Sequence, residues 1–142
     1  MFSKISAALS PASATTQIDV IKSKPFTKLL GNAGETSVIH ILEKKGFRIL
    51  ARNYTIRAGE IDIIATKDNL IVFVEVKTRT HITFALSQVI TPSKQRKIIV
   101  TAKHFLLSNS SYDKVCRFDV ALVEGQNIQY IPNAFQETRR FY

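Results

Sequence analysis

The chemistry in this sequence concentrates in two short runs, Gly59-Glu60-Ile61-Asp62 and Val74-Glu75-Val76-Lys77. Side chains on a β-strand alternate between faces, so Glu60, Asp62 and Ile64 share one face of a strand over 60–66. Ile71, Phe73, Glu75 and Lys77 share a face of a second strand over 70–77. Asp68-Asn69 between them suits a two-residue hairpin loop, which pairs Lys67 with Leu70. Carried along the strands, that register sets Asp62 directly opposite Glu75 and Glu60 opposite Lys77. A four-residue loop keeps the register, and a three-residue loop shifts it by one.

Two carboxylates facing each other at about 5 Å repel by roughly 3 kcal/mol at an effective dielectric of about 20. Strand propensity does not explain the choice, because Asp is disfavoured in strands. Either one acid is protonated or a cation sits between them. A hard divalent ion such as Mg²⁺, or Mn²⁺, prefers carboxylate oxygens and keeps several of its waters. Such an ion lowers the pKa of a bound water and polarises a phosphoryl oxygen. Lys77, on the same face two residues on, is placed to orient the nucleophile and stabilise developing charge. The plainer reading is a half-exposed amphipathic hairpin with Glu60 and Lys77 as an ordinary cross-strand ion pair.

The elements that must hold these residues can be read from periodicity. Val38, Ile41 and Leu42 predict a helix from about Asn32 to Lys45, stopped by Gly46. Glu35 precedes Val38 by three residues, which puts a carboxylate on the apolar face in need of a partner, or in a first turn where acids suit the helix dipole. Phe47 to Ile56 reads as a strand and Arg57-Ala58-Gly59 as a turn. Pro92-Ser93 opens a second helix, ending at Ser108, with Ile98, Ile99, Ala102, Phe105 and Leu106 on one side. Strands at Arg117–Val123 and Asn127–Ile131 follow. The order α-β-β-β-α-β-β is an α/β domain, a mixed sheet with helices on both sides. The second helix is the right-handed crossover between parallel strands at 70–77 and 117–123.

Gly34-Glu35, Gly59-Glu60-Ile61-Asp62, Phe73-Val74-Glu75-Val76-Lys77-Thr78-Arg79 and Arg117-Phe118-Asp119-Val120 occur in that order. Together they closely resemble the uncharacterised YraN-like family of the restriction-endonuclease-like, or PD-(D/E)XK, superfamily. The resemblance covers about residues 31 to 123. It is similar in arrangement to the archaeal Holliday-junction resolvases, in which a helix carboxylate precedes the Asp…Glu-x-Lys core. The resemblance implies a restriction-endonuclease-like fold, with Asp62 and Glu75 as metal ligands, Lys77 as the catalytic lysine and Glu35 as an additional catalytic acid. It leaves the role of Glu60 open.

Composition bounds the remaining choices. At 142 residues the chain is one ordinary domain, and 45% apolar with 22% charged residues suits a core-forming globular protein. Residues 1–28 read as a flexible arm, 29–135 as the domain and 136–142 as a tail. The arm is Ser/Ala-rich and nearly acid-free, as transit peptides are, but no arginine precedes Arg48. Cys116, the single cysteine, excludes a disulfide framework and fits a reducing cytoplasm. No apolar run reaches the ~18 residues that span a bilayer, so no membrane role is expected.

Twenty Lys and Arg against 11 Asp and Glu give +9 at pH 7, which favours a polyanionic partner. Lys94, Arg96, Lys97 and Lys103 make the start of the second helix basic. Phosphate contact and a solvated helix face are equal readings of that run. Lys94 borders the apolar stripe and is the best placed; Arg79, just past the lysine motif, is a further candidate for nucleic-acid binding. Arg117 and Asp119 read as a structural ion pair, and His40, His81 and His104 lack metal-ligand spacing.

The leading expectation is a Mg²⁺-dependent endonuclease acting on DNA, more than on RNA, with branched or damaged DNA included. Its rivals are a nucleic-acid-binding module that does not cut and a protein-interaction scaffold. The oligomeric state, a homodimer included, stays open.

Overall fold

The computed structural model describes residues 33–79 and 85–137. The arm expected over 1–28, His81 and the end of the C-terminal tail lie outside the described residues. Helix α1 (Ala33–Lys44) is followed by strands β1 (Arg48–Ile56), β2 (Gly59–Lys67) and β3 (Leu70–Thr78). A short helix α2 (Leu86–Val89), helix α3 (Pro92–Ser108), and strands β4 (Val115–Glu124) and β5 (Asn127–Phe135) complete the order. The five strands lie in the sheet in chain order. All neighbours are antiparallel except β3 and β4, which run parallel because α2 and α3 carry the chain back between them.

The sheet is covered on both faces. Val38, Ile39 and Leu42 of α1 pack on Ile63, Ala65, Val72, Val74, Ala121 and Val123. Ile98, Ala102 and Phe105 of α3 pack on Ile61, Ile64, Ile71 and Phe73 from the other side. Burial on both faces is what makes 61–65 and 71–75 continuous apolar runs broken only by Asp62 and Glu75. On α1 it is Ile39, not Ile41, that joins Val38 and Leu42 in the core; Ile41 is half-buried at the stripe's edge.

Local chemistry sets the boundaries. Gly46, at φ +88°, ends α1 in a left-handed turn that glycine takes without strain. The Thr91 hydroxyl accepts from the Lys94 N–H at 3.3 Å and Pro92 stands at the first helical position, so α3 starts where that pair dictates. Helix α2 carries no periodic signal of its own and lies against Ile90, Val120 and Leu122. Strand β5 runs past Pro132 to Phe135, four residues beyond the expected end, because at the sheet edge a missing N–H leaves no ladder bond unmade. No helix among the described residues is long and apolar enough to cross a membrane.

Candidate active site

The hairpin register is the expected one, with Lys67 paired to Leu70 and each following pair in step as far as Ile63 and Val74. The ladder stops there. At the next position the Val76 N–H donates to the Asp62 Oδ2 at 2.8 Å, so a side chain takes the place of a backbone acceptor. The Asp62 carboxylate therefore lies in the gap between β2 and β3, beside the residue that follows Glu75, and not in the simple face-to-face pair that alternation implies.

The cause is a reversal of alternation. Arg52 reaches the Thr36 hydroxyl on α1 at 3.3 Å, whereas Tyr54 packs edge-on against Phe105 of α3. Residues two apart on a regular strand share a face, and these do not. Ile61 and Ile63, paired to Tyr54 and Arg52, divide the same way between the α3 and α1 layers. Asn53 and Asp62 sit at the reversal, Asn53 with φ +50°.

Glu75 points to the α3 side and is 4% exposed. Its Oε1 meets the Lys77 ammonium at 3.1 Å and the Lys94 ammonium at 3.3 Å. Lys77 thus stands beside Glu75 as expected. Lys94 reaches the same oxygen because it lies one turn before Ile98 on the buried stripe of α3. Arg96 and Lys97, off that stripe, are exposed.

The other oxygen of Glu75, Oε2, is buried and has no hydrogen-bond partner. Asp119 offers the contrast. It is fully buried, and each oxygen receives two donors: Arg117 Nε and the Asn133 N–H on Oδ1, Arg117 Nη2 and the Tyr130 hydroxyl on Oδ2, all at 2.6–2.9 Å. Asp119 is a saturated structural carboxylate, as the Arg117–Asp119 spacing suggested. Glu75 is half-saturated, and a buried acceptor left unmet costs about 1–3 kcal/mol.

Glu35 enters from α1. Its Oε2 accepts from the Asn53 Nδ2 at 3.2 Å, the partner that a carboxylate on the apolar stripe required. Gly34 lets α1 come this close: a Cβ there would stand 2.7 Å from the Thr78 Oγ1 and 3.5 Å from the Val123 methyls. Gly59 does the same for α3, since its Cβ would lie 3.1 Å from the Thr101 Oγ1 and 3.3 Å from the Lys97 carbonyl. The two glycines of the sequence motifs are thus the points where a helix rests on the sheet beside the acids. Among the described residues no three or more of His, Cys, Asp and Glu gather into a metal-binding group, so any ion here would rest on two carboxylates and its own waters.

Arg79 lies just past β3, its N–H on the Val123 carbonyl and its side chain exposed. His104 bonds the Tyr54 hydroxyl at 2.7 Å and His40 approaches Glu43 at 3.7 Å, both away from the acids. Burial pushes the Cys116 thiol up, which disfavours the thiolate a nucleophile needs. Asn53 is the residue that sequence reasoning missed. Its signal was an Asn inside an apolar strand, where Asn is disfavoured.

Residues 34–123 match the model of Uncharacterised protein family UPF0102. The chain belongs to that family. A UPF0102 protein of Lachnoclostridium phytofermentans is 44% identical over 110 residues, covering 76% of this chain and 93% of the relative. UPF0102 proteins of Treponema pallidum and Dechloromonas aromatica are 41% and 37% identical over 119 and 116 residues, covering 78% and 81% of this chain. They are themselves covered to 94% and 95%. The UPF0102 match begins at Gly34 and ends at Val123, two residues in van der Waals reach of each other. Between them lie Glu35, Asn53, Asp62, Glu75, Lys77, Lys94 and Asp119, so the UPF0102 segment holds the whole polar site and leaves β5 outside it.

Proposed function

We propose that this UPF0102 chain is a Mg²⁺- or Mn²⁺-dependent endonuclease of the restriction-endonuclease-like superfamily, hydrolysing phosphodiester bonds in DNA, with branched or damaged DNA as the substrate class. The observation that carries the reading is Glu75: a carboxylate buried to 4% exposure, held on one oxygen by Lys77 and Lys94, with its second oxygen unpartnered, on the strand adjacent to that of Asp62. An unmet buried oxygen with a second acid on the adjacent strand fits a divalent ion, and Asp62 and Glu75 are the residues that would hold it. Such an ion, when bound, supplies a water of lowered pKa and polarises the phosphoryl oxygen.

The chain's own groups account for the rest. Lys77 orients the attacking water and stabilises charge on the phosphoryl oxygens. Glu35, held by Asn53, is the additional acid at the rim. Lys94, Arg96, Lys97 and Arg79 take backbone phosphates on either side of the scissile bond, which gives binding without base readout. Affinity for DNA should therefore fall steeply with salt, and Arg96→Ala with Lys97→Ala should lower the slope by about two.

A second reading has a specific observation behind it. Lys77 and Lys94 already neutralise Glu75 without a metal, as a binding module that does not cut would require. Cleavage assays on linear, single-stranded and four-way-junction DNA with Mg²⁺ and Mn²⁺ separate the two. The nuclease reading expects cutting by wild type and none by Asp62→Asn. Binding without cutting on every substrate supports the module, and neither activity ends both.

A further inference from the structure

Two buried side-chain atoms among the described residues lack a hydrogen-bond partner, Glu75 Oε2 and Asn53 Oδ1. Both are oxygens, and both residues are at most 5% exposed. They stand two strands apart in the sheet, on either side of the strand that carries Asp62. Asn53 falls between the Arg52–Ile63 and Tyr54–Ile61 pairs, opposite Asp62, and Glu75 follows Val74, the partner of Ile63. Asn53, Asp62 and Glu75 thus form one polar row across β1, β2 and β3.

One hydrogen bond fixes which way the Asn53 amide faces. The Nδ2 donates to Glu35 Oε2, which turns Oδ1 away as an acceptor. At φ +50° asparagine is, after glycine, among the residues that tolerate the left-handed backbone best. Its side chain has one end committed to Glu35 and the other end an unmet buried oxygen.

The geometry points to Asn53 as an oxygen donor of a hydrated divalent-cation site. With an ion held by Asp62 and Glu75, Oδ1 would be an acceptor for one of its waters, while Nδ2 holds Glu35. Asp62 and Glu75 would be the two carboxylates that hold the ion, with Asn53 and Glu35 as acceptors for its waters. Such a set suits an ion that keeps its waters, Mg²⁺ above all, because outer acceptors must receive those waters' protons. The inference rests on the divalent-ion reading of the site and adds a residue and a hydration geometry to it.

Calorimetric titration of Mg²⁺ into the full chain tests it, with Asn53→Gly and Asn53→Asp beside wild type. Asn53→Gly suits the backbone and removes both amide groups, and it should weaken Mg²⁺ binding by about tenfold or more. Asn53→Asp keeps an oxygen acceptor and adds a charge, so it should bind Mg²⁺ at least as tightly as wild type. Without metal it should melt lower, because it faces Glu35, and Mg²⁺ should raise its melting temperature more than it raises that of wild type. Equal affinity for wild type and Asn53→Gly would overturn the role of Asn53 and leave the divalent-ion reading standing. Asn53→Asp binding more weakly than wild type would overturn it too, even if Asn53→Gly failed to fold. A wild type that binds no Mg²⁺ would remove the ion reading and this inference together.

Discussion

Asn53 on β1 and Asp62 on β2 face each other where both strands change the face they present. Before this point Arg52 serves the α1 layer, and after it Tyr54 serves the α3 layer. The reversal frees Asp62 from either layer and lets it enter the gap beside β3. Glu35 comes from the α1 side, where it accepts from Asn53, and Glu75 with its two lysines lies on the α3 side.

On the proposed nuclease reading the Asp62 carboxylate has two separable duties, a structural one at the Val76 N–H and a catalytic one. Asp62→Asn retains an oxygen for the Val76 N–H, so it should melt within a few degrees of wild type while cleavage is lost by orders of magnitude. Asp62→Ala leaves that N–H without its acceptor, and should cost about 1–3 kcal/mol in a denaturant titration. Equal stability of the two variants would show that the bond to Val76 contributes nothing.

Lys77 and Lys94 share one oxygen of Glu75, so their substitutions should not add. Either Lys77→Ala or Lys94→Ala leaves a cation on Glu75 and should cost little stability. The double variant leaves a buried carboxylate uncompensated and should lose several kcal/mol, a coupling that a double-mutant cycle reads directly. In cleavage assays Lys77→Ala should reduce kcat by about 10²–10³ while Mg²⁺ binding persists.

The close-packed glycines should respond differently. In Gly34→Ala the clash is with the Thr78 hydroxyl, so the loss of about 1 kcal/mol expected from overpacking should be recovered in Gly34→Ala with Thr78→Ala. In Gly59→Ala the new methyl meets the Lys97 carbonyl as well as the Thr101 hydroxyl. Backbone does not rotate away, so the expected loss of about 1–3 kcal/mol should survive Thr101→Ala. Melting curves on the four variants decide the point.

The Tyr130 phenol gives a pH signature far from the acids. Burial first, and then its hydrogen bond to Asp119, raise its pKa well above the ordinary value. Above about pH 10 the unfolded chain releases this proton while the folded protein keeps it. The stabilisation is complete below that pH and is lost as the medium becomes more alkaline. Tyr130→Phe keeps the ring under the Lys45 ammonium, 4.8 Å from its centroid, and removes the titrating group. It should cost about 1 kcal/mol at neutral pH and flatten the fall in melting temperature above pH 10.

The sequence by itself determined every element but α2, the hairpin register and the parallel return of β4, because these follow from signals within each segment. Asp68-Asn69 sets Lys67 against Leu70, Thr91-Pro92 starts α3, and the apolar period of α3 puts Lys94 within reach of the site. It also marked Glu35 as a buried acid in want of a partner. Tertiary structure alone decided that Asn53 is that partner, that the ladder opens at Asp62, and that Lys77 and Lys94 meet on one oxygen of Glu75. Those outcomes depend on contacts between elements distant in the chain, α1 with β1, β2 with β3 and α3 with β3, which no local signal encodes. Alternation read from a sequence assumes a regular strand, and the chemistry gathers where the strand is not regular.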